Sequence, residues 1–444
     1  MGQFFEPLYA PVAKLTSFRT VLAIAACLDL ELHQINIKGA YLNGELTGDE
    51  VIYMRQPPGY PYPNSAGKVL RLQKTLYGLK QSGRRWYQKL TEICEKYLRL
   101  TQCSVDQAVF YCREGKLIII IAVHVDDCTV AASNRALVNE VKATLSQHVE
   151  ISDLGEVHWL LGIKVTRDRE ARTISLSQRA YIESIIRRFG FDELRPVSTP
   201  MEPNLKLSAS QSPATPQEFA AMRDIPYRES IGSLMYVSLV TRPDITFAVL
   251  RLSKFLEKPG LAHWDASRRV FRYLKGTLDW CLTYGERKED LTGWVDADGS
   301  QEEDRRAITG YAFLIDGGAV SWTSKQQELI VLSTTEGEYV AATHAAKEAL
   351  WLHSFISEIF GNTLELTTLF SDNQSAIALS KDHQYHARTK HIDIRYHFIR
   401  WVIENGSIRL IYCPTEDMIA DTLTKPLPSV KAKHFAAELG LRAA

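Results

Sequence analysis

Residues Leu117–Ala132, LIIIIAVHVDDCTVAA, restrict the fold more than any other stretch of the chain. Leu117, four consecutive isoleucines, Ala122 and Val123 give the β-branched richness of a strand buried on both faces. Cys128–Ala132 reads as the returning strand, and the adjacent aspartates Asp126 and Asp127 fit the turn of such a hairpin. The same turn sets two carboxylates at the rim of a rigid, dry element, where a hard divalent cation can be held. The residues of the hairpin alone are compatible with that reading and with a solvated turn that merely joins two strands.

A chain of 444 residues is long enough for two or three domains with sizeable cores, and 45% hydrophobic and 23% charged residues are ordinary for a globular protein. Fifty-two basic residues balance 52 acidic ones, so bulk charge does not argue for nucleic-acid binding and any basic surface is local. Seven cysteines are scattered with no CxxC pair, which argues against a zinc module or a disulfide framework and suits a reducing compartment. The opening MGQFFEPLYAPVAKL lacks the basic and apolar regions of a signal peptide, and Glu6 breaks the myristoylation pattern that Gly2 begins. No apolar run reaches the length of a membrane span. The expectation is a soluble, intracellular protein with no membrane partner.

Helical spacing predicts a helix over Leu15–Leu32, and Ile35 and Ile37 alternating with Asn36 and Lys38 predict a short strand after it. Val51–Met54 is a further strand candidate, followed by the proline-rich loop QPPGYPYPNSAG. Between Arg71 and Leu90, Arg71, Lys74, Lys80, Arg84, Arg85 and Lys89 interleave with Tyr77, Trp86 and Tyr87. That pattern suits a surface that grips a phosphate backbone and stacks on bases, and equally an amphipathic helix with solvated lysines. A helix is expected over Arg135–His148, paired strands over Val157–Val165 and Thr173–Ser177, and a basic helix over Tyr181–Phe189. Arg195–Arg223, rich in Pro, Ser, Thr, Ala and Gln, reads as a linker and first boundary. Tyr227–Lys275 is mostly helical and ends in a second basic cluster, Arg268, Arg269, Arg272 and Lys275. Beyond a second boundary near residue 286, three strand candidates precede a long helix over Thr335–Ile359. Alternating strands and helices then follow, a compact α/β pattern.

In that last segment Asp296 lies at the end of the strand WVDAD, and Glu338 in the first turns of the long helix, after the capping candidates Ser333, Thr334 and Thr335. Asp372 ends the LFSD strand, and Asp421 opens a helix in EDMIADTLTK. Carboxylates drawn to one place from strand ends and helix starts are costly unless cations neutralise them. Two divalent cations about 4 Å apart suit in-line attack of water on a phosphodiester. Taken singly, each of the four reads equally as a cap or a surface charge.

LSTTEGEYVA, SDNQSAIAL, RTKHIDIRYHFIRW and ADTLTKPL closely resemble the C-terminal RNase H domain of copia-type LTR retrotransposon polyproteins. YAPVAKL, HQINIKGAYLNGEL, YMRQPPGY, LYGLKQSGRRWY, the VDD pair, LGIKV, YRESIGSLMY, TRPDITFAV and RYLKGT resemble the reverse transcriptase of the same family, in the same order and over nearly the whole chain. The resemblance implies an α+β protein with three parts. A reverse-transcriptase palm and thumb with incomplete fingers would span 1–195, a linker and helical connection segment 196–285, and an α/β RNase H-like domain 286–444. It implies RNA-directed DNA synthesis and hydrolysis of the RNA strand of RNA–DNA hybrids. Two Mg²⁺ would serve each intact site, with Mn²⁺ as a substitute, and the partners would be RNA–DNA hybrid, template–primer and dNTP. The expected location is the cytoplasm, in a virus-like particle, or the nucleus.

By the same resemblance, Asp126 and Asp127 are polymerase metal ligands. Asp296, Glu338, Asp372 and Asp421 are catalytic and metal-holding in the RNase H half, with Asp298, which shares a strand face with Asp296, as the other register for the first. Lys80, Gln81, Arg84 and Arg85 are implied to bind nucleic acid, Asn373 and Gln374 to contact the hybrid's sugars, and His391 to carry a proton or to hold a helix start. Two departures bear on activity. Asn36 stands where the family typically shows a third polymerase aspartate, and a neutral amide cannot bridge two cations as a carboxylate does. His124 precedes the pair where the family usually has Tyr. The finger region upstream of YAPVAKL is also expected to be missing, so the chain reads as a truncated fragment with impaired synthesis. The alternative reading is a non-catalytic remnant that binds nucleic acid.

Overall fold

The computed structural model describes residues 10–47, 50–60, 67–285, 290–299, 306–361, 366–381 and 398–443. They form two compact units, one built mainly from Leu30–Val157 and the other mainly from His158–Ser357 with the segment after Gly361. Both mix helices and sheets.

The first unit is organised on a six-stranded sheet in the order Thr101–Gln102, Val109–Glu114, Leu117–His124, Asp127–Ala132, Glu31–Ile37, Ile151–Glu156. The isoleucine-rich strand is central, and Ile118, Ile120, Ile121, Ala122 and Val123 are all buried, as a strand covered on both faces requires. Ile35, Ile37, Ile121, Val123, Cys128 and Val130 share one core with Val138, Val141 and Leu145 of the helix Arg135–His148. Asn134 caps that helix by accepting from the Leu137 N–H.

The hairpin differs from expectation by one residue. Its turn is Val125–Asp126, and Asp127 is already the first residue of the returning strand, paired with His124. The cause is local: Val125 adopts φ 61°, a conformation that sequence rules assign to Gly, Asn or Asp rather than to a β-branched residue. The helix predicted over Leu15–Leu32 ends at Cys27. Asp29 turns the chain at φ 53°, and Leu32, whose apolar side chain extended the helical spacing, belongs to the strand that starts at Glu31. Of the basic stretch 71–90, only Ser82 onward is helical, in Ser82–Glu92.

In the second unit, the helices Arg179–Arg188, Tyr227–Val240, Thr246–Ser253 and Leu261–Gly276 pack around Ile182, Ile186, Leu234 and Phe271. One five-stranded sheet runs Leu441–Ala443, Trp280–Tyr284, Thr173–Ser177, Ile163–Asp168, Trp159–Leu160. A second runs Gly318–Gln326, Ile308–Ile315, Thr292–Asp298, Thr367–Ser371, Ile408–Tyr412, with its first three strands antiparallel and its last two added in parallel. The long helix Thr334–Phe360 connects the antiparallel part to the parallel part. Ser333 caps it by accepting from the Glu336 N–H, and the Glu336 carboxylate accepts from the Leu332 N–H.

Candidate functional site

At the hairpin end of the first sheet, Asp127 pairs with both His124 and Asn36, so these three side chains lie in one row on one face. Ile35 and Ile37 point to the opposite, helix-covered face. The Asn36 amide donates to Asp127 Oδ1 at 3.3 Å, and the Ile37 N–H donates to the Asp126 carbonyl at 2.8 Å. The indole of Trp86 donates to the Val125 carbonyl at 2.8 Å and so fastens the strained turn that carries the aspartates. Asp126 and Asp127 are both half-buried. Asn36 is thus a neutral donor that already satisfies one oxygen of Asp127.

The second cluster is deeper. Ligand oxygens of Asp296, Glu338 and Asp372 lie within 4.8 Å of one another, and Asp296, Glu338 and Asp421 are each at most 5% exposed. Asp296 sits on Thr292–Asp298. Asp372 follows the parallel strand Thr367–Ser371, and its Oδ2 accepts from the Thr415 hydroxyl at 2.8 Å. Asp421 belongs to the short 3₁₀ turn Ile419–Leu423 rather than to a longer helix. That turn reaches the sheet because Gly310, paired with Asp296, carries no side chain. A Cβ there would lie 2.6 Å from Thr424 Cγ2 and 2.9 Å from Leu423 Cβ. Thr424 donates its hydroxyl to Asp296 Oδ2. Asp298 stays outside the close trio and is half-buried.

Charge balance in this cluster comes partly from the chain. Lys425 Nζ lies 2.8 Å from Asp421 Oδ1 and 3.6 Å from Asp296 Oδ2, and Lys431 Nζ donates to Asp421 Oδ2 at 2.9 Å. Burial raises the Asp296 pKa to about 6; Lys425 and Thr424 oppose the rise, and Asp421 and Asp372 add to it. Burial, and next the Asp296 charge, hold Glu338 well above the usual carboxylate range. Burial works against the Lys425 charge, but Asp296 and Asp421 outweigh it and keep the ammonium above its ordinary range. Glu338 Oε2 is buried with no hydrogen-bond partner among the described residues. A buried carboxylate oxygen left without a partner, beside two further acids, fits a divalent cation.

Lys80 is exposed, and Gln81 occupies the cap position of Ser82–Glu92 without a side-chain capping bond. Arg84 is half-buried. Arg85 is engaged internally, with Glu50 at 2.7 Å and Thr47 at 2.8 Å. The cations near the end of Leu261–Gly276 are also occupied. Arg269 binds Glu202 and Thr199, Arg272 the Arg195 carbonyl, and Lys275 the carbonyls of Asp192 and Leu194. They fasten the segment around 192–202, an arrangement that sequence spacing does not reveal. Asn373 Oδ1 accepts from the Ala376 N–H and caps Gln374–Lys381, whose Gln374 is exposed. His391 lies outside the described residues.

A third group, Glu31, His33 and Glu156, also has metal-ligand spacing, but Lys142 Nζ lies 2.9 Å from His33 Nδ1 and Arg135 pairs with Glu156 at 3.8 Å. There the chain supplies the cations itself. Two further groups escaped sequence reasoning. Arg242, fully buried, pairs with Asp244 at 2.8 Å, and Tyr273 donates its hydroxyl to the same carboxylate. Lys425 and Lys431 were the other omission. Lys425 stood in view inside ADTLTKPL, four residues after Asp421, a spacing that brings side chains together on a helical turn.

The family model described as reverse transcriptase (RNA-dependent DNA polymerase) matches residues 1–203. With carboxylates gathered at strand ends of a mixed α+β chain, this defines the class, a reverse-transcriptase-bearing chain. The sequence is 43% identical over 433 residues, 97% of this chain, to the Retrovirus-related Pol polyprotein from transposon TNT 1-94 of Nicotiana tabacum. It is 30% identical over 318 residues, 71% of this chain and 100% of the relative, to the putative transposon Ty5-1 protein YCL074W of Saccharomyces cerevisiae. The chain belongs to the Pol polyproteins of copia-type retrotransposons. It spans 32% of the length of the tobacco polyprotein. Among solved structures, the N-terminal RNase H domain of Rv2228c from Mycobacterium tuberculosis aligns with a TM-score of 0.23 at 12% identity, covering 34% of this chain and 98% of that one, too slight a likeness to bear on the assignment. Among the described residues no helix is long and apolar enough to cross a membrane.

Proposed function

We propose that this chain is the reverse transcriptase–RNase H portion of a copia-type Pol polyprotein, able to hydrolyse the RNA strand of RNA–DNA hybrids and impaired in DNA synthesis. The layout we assign is palm and thumb over 1–195, a connection segment over 196–285 and an RNase H-like domain over 286–444. The observation that carries the hydrolytic reading is the convergence of the buried Asp296 and Glu338 with the half-buried Asp372, with Asp421 beside them and one oxygen of Glu338 left without a partner. In this reading these four acids hold two Mg²⁺, or Mn²⁺, which would activate the attacking water and neutralise charge developing on the phosphodiester. In this reading Asp298, two residues from Asp296, and Asn373 and Gln374, which follow Asp372, are candidates to contact the hybrid.

Impaired synthesis rests on Asn36. Its donation to Asp127 supports a polymerase site one charge short of a two-cation set, and it favours nucleic-acid binding without synthesis for the first unit, with Lys80, Gln81 and Arg84 in contact with template–primer. A labelled RNA–DNA hybrid with Mg²⁺ tests the main reading: cleavage is expected, and it is expected to vanish with chelator and with Asp372→Asn. Cleavage that survives Asp372→Asn sinks the assignment. Primer extension with dNTP tests the other half: robust extension abolished by Asp126→Ala would mean that Asn36 is tolerated.

A further inference from the structure

The hydrolytic cluster is not uniformly short of positive charge. On one side, Glu338 Oε2 has no hydrogen-bond partner among the described residues, and Glu338, Asp296 and Asp372 have ligand oxygens within 4.8 Å of one another. On the other side, Asp421 lies between two ammoniums: Oδ2 accepts from Lys431 at 2.9 Å, and Oδ1 is 2.8 Å from Lys425 Nζ, an ion pair without hydrogen-bond geometry. Lys425 also stands 3.6 Å from Asp296 Oδ2, so it bridges two carboxylates as a shared cation would. Asp296 belongs to both sides.

We propose that Lys425 occupies one of the two cation positions in the metal-free protein, so that the site accepts one divalent ion readily and a second only by displacing this ammonium. The inference rests on the reading of Asp296, Glu338, Asp372 and Asp421 as a metal-holding site. Formal charge agrees with it. With all four acids ionised, as a bound cation favours, four carboxylates and two ammoniums leave two negative charges, which one divalent ion neutralises, and a second ion gains two further charges to balance only as the ammoniums leave. Delivery of the ammonium is built into the backbone. Asp421 and Lys425 are four residues apart on a turn that packs against Gly310, so the lysine arrives wherever the aspartate does. The side chain is 29% exposed, which gives the flexible stem a route toward solvent when a competing ion or a substrate phosphate enters. Lys425 is thus a positioning residue, one that holds Asp421 and Asp296 at cation-binding distance before metal arrives.

Mn²⁺ titration by calorimetry without nucleic acid tests this, on the full chain carrying Asp126→Asn and Asp127→Asn so that the hairpin pair does not contribute. One tight ion and one weak ion are expected. Lys425→Met should tighten the second ion by tenfold or more and lower the melting temperature in chelator. If the methionine variant does not fold, Lys425→Gln, whose amide still reaches Asp421, serves for the same measurement. An unchanged second-ion affinity, with the first ion still lost on Asp372→Asn, overturns the role of Lys425 and leaves the metal-site reading standing. Mn²⁺ binding that does not respond to Asp372→Asn overturns both.

Discussion

Two groups of carboxylates gather in this chain, one at a hairpin and one drawn from strand ends, a helix and a turn, and they are kept tolerable in opposite ways. At the hairpin, a neutral amide stands beside the pair: Asn36 donates to Asp127. In the second unit four acids lie near one another, and positive charge is brought to them by Lys425 and Lys431. A neutral neighbour adds no repulsion and no further electrostatic demand for a metal. An imported ammonium leaves that demand in place, because a cation on a flexible stem can be exchanged for another cation.

The sharpest way to break this contrast is to remove one acid from each cluster. Asp296→Asn is expected to lower hybrid cleavage by about 10³-fold, whereas Asp126→Asn should leave it within about twofold, in single-turnover assays on a labelled hybrid. Equal losses would mean that the clusters are not independent. A smaller effect is expected from Gly310→Ala. The new methyl pushes against Leu423 and Thr424, shifts Asp421, and should reduce cleavage about 10- to 100-fold with a lower melting temperature.

Acidity sharpens the comparison next. Because the folded-state pKa of Asp296 is raised to about 6, its stabilising contribution is present below the ordinary aspartate value and lost as pH rises through about 6. In chelator, the melting temperature of the parent chain relative to Asp296→Asn should therefore fall by a few degrees between about pH 4 and pH 7. A difference that grows with pH would reverse the assignment of burial as the cause. The smallest effect is expected at the hairpin. Asn36→Asp exchanges a donor for a like charge and should cost about 1 kcal/mol without metal. Thermal melts with and without Mn²⁺ should then show a metal-induced rise larger in the variant than in the parent.

Much of this was legible in the residues themselves. The isoleucine run announced the central strand, and the four acids of the second cluster were drawn from distant motifs that the structure brings near one another. What escaped was of two kinds. Some was local conformation that ordinary preference opposes, as with Val125 at positive φ, which moved the turn by one residue. The rest was tertiary engagement. Arg269, Arg272 and Lys275 look like a free basic stripe in sequence, yet they hold the 192–202 segment. The Arg242–Asp244–Tyr273 group looked like part of a motif and is a buried ion pair.

The bracket of lysines around Asp421 also bears on how such a chain drifts under mutation. Loss of Asp421 leaves Lys425 and Lys431 without the buried carboxylate that both of them contact, so folding itself suffers. Selection for a folded chain therefore guards Asp421 independently of any chemistry at the second cluster. No comparable guard protects a carboxylate at position 36, since the hairpin closes around a neutral amide and is fastened by Trp86. In a drifting copy, the carboxylates of the second cluster should therefore outlast those of the hairpin.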